Sequence, residues 1–191
     1  DSDQTQVDWD GDGTTWGADE SDDKLGLASI GNSSDSFQGS YDGQAHTISN
    51  LYIHRTESSD HNEVGLFGKI AGATIENLGL VNVSITGSNY YHLGSLVGWI
   101  NGTDDTVENC YSTGMIDVTD SEYVGGLVGE SNGNMIDSYS EVSLSADIVT
   151  TGLNLYNIGG LGGSSNGLLS NSYFSGTVTV TGIASSINSI S

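Results

Sequence analysis

Apolar positions in this chain come in short runs, not in helical stripes. VSI at residues 83–85 and VTVT at residues 178–181 alternate side chains as a strand with one buried face does. A cassette of apolar residues and glycine recurs as VGLFG (64–68), LGSLVG (93–98), VGGLVG (124–129) and IGGLGG (158–163). From the first glycine of each, Gly65, Gly94, Gly125 and Gly159, the steps are 29, 31 and 34 residues. A second element trails each cassette: IENLGL from Ile75, VENCYSTG from Val107, MIDSYSEV from Met135 and LSNSYFSG from Leu169. ISNLYI from Ile48 reads as an earlier member of the same series. Little chain is left between these elements for helices.

This period predicts an all-β fold, a parallel β-solenoid of about five rungs. One coil cannot bury its own apolar face; stacking coils ~4.8 Å apart does so. Glycines at corresponding places mark corners, where positive φ or close backbone approach is needed. Asn50, Asn77, Asn109 and Asn171 are expected to share one column, with Asp137 substituting once, as a ladder of side chains bonded coil to coil. The main rival, a β-sandwich, spaces its strands ~8–12 residues apart without a repeated cassette.

The stretch FQGSYDGQAHTISNLYI (37–53), followed by VGLFG, ENLGL, GSLVG, ENCYSTG and VGGLVG, resembles the GLUG-repeat family. The resemblance covers roughly residues 25–182. It implies a right-handed parallel β-helix and an exported, repetitive, usually non-catalytic module of bacterial and archaeal cell surfaces and adhesins. It supplies no catalytic signature.

Charge narrows the partners. Twenty-five acids against three Lys and Arg give a net charge of −22. Three cations cannot track a phosphate backbone, so nucleic acid is excluded as a partner, and an anionic membrane surface with it. No run of 18 apolar residues exists to span a bilayer. The acid excess with almost no lysine resembles proteins of halophilic archaea, so an extracellular or cell-surface location in such an organism is expected. Acidity of this size fits either work in concentrated salt or cation binding.

Nine of the acids fall in residues 1–23, so residues 1–24 are expected to form an acidic cap or calcium-loop segment before a solenoid at 25–191. Within DWDGDG, Asp8, Asp10, Asp12 and then Asp19 stand at positions one, three, five and twelve, with Gly13 at six. That is the spacing of a calcium loop, with Asp replacing the usual closing Glu; a solvated acidic cap is the other reading. Calcium is the one cofactor expected. The opposite end, residues 148–191, carries no charged side chain. It would suit contact with another copy, a glycan coat or a further domain, or simply a face that needs no charge.

Other chemistry is sparser. Asp22, Asp23, Asp104, Asp105 and Glu108, with His46, His54, His61 and His92, are raw material for carboxylate catalysis, but nothing in the sequence gathers them, and no enzyme is expected. Cys110 shares a column with Leu78, Ser138 and Ser172 and reads as a small inward filler. Tyr111, Tyr139 and Tyr173 repeat with the coil as a packed ladder, whereas Tyr90, Tyr91 and Trp99 belong to one coil and are candidates for a contact surface. Asn32, Asn82 and Asn101 head N-glycosylation sequons. The expected function is that of a structural or adhesive surface subunit that assembles with copies of itself or other surface proteins. A glycan-binding or glycan-processing β-helix and a monomeric stalk module of a larger adhesin are the alternatives.

Overall fold

The structure is a computed structural model that describes residues 26–55, 62–149, 156–182 and 187–190. Among these there is no helix. Strands β1 (Phe37–Ser49), β2 (Tyr52–Arg55) and β3 (Glu63–Val64) make the first coil, and β4 (Phe67–Ser88) and β5 (His92–Gly94) the second. The third holds β6 (Val97–Ile100), β7 (Thr106–Glu108), β8 (Tyr111–Thr119) and β9 (Tyr123–Gly125). The fourth holds β10 (Val128–Ser131), β11 (Asn134–Ile136), β12 (Tyr139–Ile148) and β13 (Tyr156–Gly159). The last comprises β14 (Gly162–Ser165), β15 (Leu169–Ser170), β16 (Tyr173–Phe174), β17 (Thr177–Gly182) and β18 (Ile187–Ile190).

Each strand pairs in parallel with its counterpart one coil away, as a solenoid of about four turns beyond the shorter first coil requires. Four faces result. Face I stacks the start of β4 with β6, β10 and β14; face II stacks the middle of β4 with β1, β7, β11 and β15. Face III carries the long strands β8, β12 and β17 on the end of β4, and face IV is a separate five-stranded sheet of β3, β5, β9, β13 and β18.

The inside is built of like upon like. Val64, Leu93, Val124 and Ile158 stack on face IV, Ile75, Val107 and Met135 on face II, and Ile85, Ile116 and Leu144 on face III, all buried. Each such aliphatic side chain contributes about 1.5–3 kcal/mol by leaving water. Polar residues enter the interior only where the backbone uses them. The Cys110 amide donates to Ser138 Oγ at 3.1 Å, and the Ser138 amide donates to Ser172 Oγ at 3.1 Å. Cys110 itself is buried in that column, and burial pushes its thiol up to about 11.

Outside, the Tyr111, Tyr139 and Tyr173 rings stack with centroids 5.0 Å apart and planes within 4°. Asn77, Asn109, Asp137 and Asn171 all adopt left-handed backbone, φ 49–55°, at the corner between faces II and III. Asn109 Nδ2 donates to Asn77 Oδ1 at 2.7 Å. Asn50 is not in this column, which corrects the alignment read from ISNLYI. Gln44 and Ala45, both at positive φ, bulge β1 between Asp42 and His46, so that Ile48 pairs with Leu80 instead of Ile75. Asn50 therefore faces Asn82, whose Nδ2 donates to its Oδ1 at 2.7 Å, while Asn77 Nδ2 donates to Asp42 Oδ1 at 3.0 Å.

Candidate functional site

The repeated cassette makes the corner between faces IV and I, and its last glycine decides how tightly that corner closes. A Cβ on Gly98 would lie 2.7 Å from the Val64 amide nitrogen, and one on Gly129 2.6 Å from that of Leu93. Only glycine lets the two sheets approach this closely. The residues flanking each cassette point outward on both sides of the corner. Glu63, His92 and Tyr123 stack on face IV, and Lys69, Trp99 and Glu130 stack on face I. With Ser33, Asn62 and Tyr91, all of these except Lys69 line a surface cleft of about 520 Å³.

At its centre His92 is 2% exposed. Its ring lies between two aromatic partners, stacked on Trp99 (centroids 4.7 Å, 14°) and on Tyr123 (5.2 Å, 26°). Tyr91, exposed, stands nearly perpendicular to His92 and Tyr123 at 83° and 70°, so the aromatic wall is L-shaped. Lys69 Nζ lies 4.0 Å from the Trp99 ring centroid. His92 Nε2 is 2.7 Å from Glu130 Oε2, whereas His92 Nδ1 and Trp99 Nε1 are buried without a partner.

Burial, assisted by Lys69, holds His92 down at about 4, so the imidazole is neutral at pH 7 and donates from Nε2 to the Glu130 carboxylate. Burial also raises Glu130 above the usual carboxylate range, and does the same to Glu122 nearby in sequence. Glu63 is buried and accepts a hydrogen bond from the Ser33 hydroxyl. The cleft thus holds two carboxylates, a bare imidazole nitrogen and perpendicular aromatic walls.

Of the predicted contact residues, Tyr91 and Trp99 line this cleft and Tyr90 does not. Tyr90 is 2% exposed, and its hydroxyl donates to the Thr86 carbonyl at 2.8 Å; it is a core residue, which corrects its assignment to the surface. Asn89 before it is left-handed (φ 60°), which reverses the alternation at this point. Tyr123, one of the chain's aromatics, joins Tyr91 and Trp99 in the cleft, and so do Glu63 and Glu130, which no motif in the sequence marks. The signal that finds them is positional: they occupy the variable places just before and after an otherwise regular cassette.

The remaining candidates are dispersed. Asn32, Asn82 and Asn101 are exposed, but Asn32 Oδ1 accepts from the amides of Ser34 and Asp35, and Asn82 is engaged with Asn50. Asp105 is a structural staple, buried and holding three backbone amides, while Asp104 beside it is exposed. His54 Nδ1 lies 2.6 Å from Thr86 Oγ1, and His46 is exposed. Asp8, Asp10, Asp12 and Asp19 of the calcium-loop motif, Asp22, Asp23 and His61 lie outside the described residues. Among the described residues, no three of His, Cys, Asp and Glu gather as metal ligands.

No family model matches the chain. The chain is 40% identical over 127 residues, 64% of its length, to Halomucin from Haloquadratum walsbyi, and spans 1% of that protein. Its fold matches the crystal structure of a protein from Bacteroides ovatus described as a putative immunoglobulin A1 protease, with a TM-score of 0.51 and 20% identity over 76% of this chain and 52% of that one. The structural likeness concerns the β-solenoid architecture alone, and the sequence similarity is to one segment of a far longer protein of a halophilic archaeon.

Proposed function

We propose that this chain is a non-catalytic structural segment of an exported, repetitive surface protein, a stiff acidic rod suited to concentrated salt. The observation that carries this reading is the placement of charge on the stack. Asp42, Glu76 and Glu108 lie in direct register on face II, one carboxylate per coil, outside an aliphatic interior. Like charges ~5 Å apart in water repel by about 1 kcal/mol per pair, a cost that salt removes once the screening length falls to ~3 Å at molar strength. The similarity to Halomucin, whose name marks a mucin-like protein, supports the surface role and the saline setting.

Contact with copies or neighbouring segments belongs to the charge-free carboxyl-terminal coil, where Leu168, Leu169 and Tyr173 are exposed. The test is thermal unfolding between about 0.1 M and 3 M KCl, with and without calcium, together with sedimentation in the same series. Cooperative unfolding that strengthens with KCl, indifferent to millimolar calcium, is expected, and so is a sedimenting assembly at high salt. Equal melting temperatures across the series would overturn the saline reading, and a monomer throughout would overturn assembly.

A further inference from the structure

The cleft at the corner of faces IV and I poses a question of charge. Glu63 and Glu130 are both withdrawn from solvent, and carboxylates in such places are ordinarily matched by a cation. Among the described residues the ion-pair contact at either carboxylate is His92 with Glu130, and His92 is held neutral there. Lys69 is directed to the Trp99 ring. The bare Nδ1 of His92 adds a buried acceptor with nothing donating to it. Every unfilled requirement except that of Trp99 Nε1 is therefore for positive charge or for a hydrogen-bond donor.

The walls restrict which cation answers. A volume of about 520 Å³ is far more than a bare ion occupies, and no three ligating side chains converge among the described residues. Perpendicular aromatic rings offer their negative faces to an ammonium group and their carbon surface to its alkyl chain. Lys69 over Trp99 already makes one such contact at the edge of the cleft. A carbohydrate would use the aromatic surface but leave the two carboxylates without counter-charge.

We propose that this cleft is a binding site for a primary alkylammonium group. Tyr91 and Tyr123 form the cage, and Glu63 and Glu130 supply the counter-charge and accept the ammonium hydrogens. Trp99, pinned by Lys69 and His92, holds the wall in place.

Butylammonium chloride is titrated into the whole chain in molar KCl, by calorimetry and by the Trp99 indole resonance, beside 1-butanol and glucose. Saturable binding of butylammonium and none of 1-butanol is expected. Tyr91→Ala, at an exposed position, and Glu130→Gln, near-isosteric, are each expected to weaken binding about tenfold. Nα-acetyl-lysine amide separates the sources: tighter binding than butylammonium assigns a lysine side chain of another protein, and equal binding a free amine. The proposal is overturned if 1-butanol binds as well as the amine, if glucose alone shifts the Trp99 resonance, or if both variants, folded by circular dichroism, bind as the parent does.

Discussion

Replacing Asp105 with alanine removes the tie between the second and third coils at the corner of faces I and II. Its Oδ1 accepts from the amides of Gly72 at 2.6 Å and Ala73 at 2.8 Å, and Oδ2 from Gly102 at 2.8 Å. Ala73 is buried, so its amide would be left without a partner at a cost of ~1–3 kcal/mol. Gly72 and Gly102 reach water, and each loses only a net bond of about 0.5–1.5 kcal/mol. The sum is about 2–6 kcal/mol, a large part of the ~5–15 kcal/mol that holds an ordinary domain together. At ~2–4 °C per kcal/mol for a chain of this size, the melting temperature in molar salt should fall by roughly 4–24 °C. Asp105→Asn keeps one acceptor for Gly72 and Ala73 but turns an amide toward the Gly102 N–H, so it should fall between parent and alanine. Hydrogen exchange at Gly72 and Ala73 localises the loss, since a solenoid opens coil by coil. An alanine variant within ~1 kcal/mol of the parent would refute the staple.

Four further outcomes test the same physics. In carbon-detected or long-range nitrogen NMR, His92 should remain neutral from pH 7 down to about 5; its folded value of about 4 lies below the ordinary 6.5, so stability is lost as pH falls from 6.5 toward 4, and titration near 6.5 would contradict the buried sandwich. Cys110, buried with its thiol at about 11, should resist maleimide at pH 8 in the folded chain and react fully once unfolded. Asn109→Ala should cost about 1 kcal/mol, because alanine lacks the short polar side chain that lets asparagine tolerate φ 50°, and Asn109→Gly clearly less; equal losses would mean that the amide ladder, not the backbone, sets the cost. Glu76→Gln should raise the melting temperature at low salt, where it relieves Asp42 and Glu108, and leave it unchanged in molar KCl.

The cassette period, the alternation within strands and the recurring asparagine were sufficient to specify coils, an inside and a corner. Each is a local rule that the backbone obeys wherever the coil sits. The column Asn77, Asn109, Asp137 and Asn171 was legible because a left-handed residue is needed at every turn from face II to face III, and Asp serves there as Asn does. Asn50 was placed one column away because a bulge at Gln44 and Ala45 shifts register without changing the look of the following motif. Tyr90 looked like its neighbour Tyr91, and the left-handed turn at Asn89 sent it inward.

The cleft was hidden for a different reason. Glu63, His92, Tyr123, Lys69, Trp99 and Glu130 come from four coils and two faces, and their meeting depends on how closely two sheets approach across Gly98 and Gly129. By itself the sequence determined the period, the buried columns and the corner residues, since these follow from side-chain alternation and backbone preference. The tertiary structure alone decided which outward side chains confront one another, because that is set by register and by the angle between sheets, and neither is written in any single repeat.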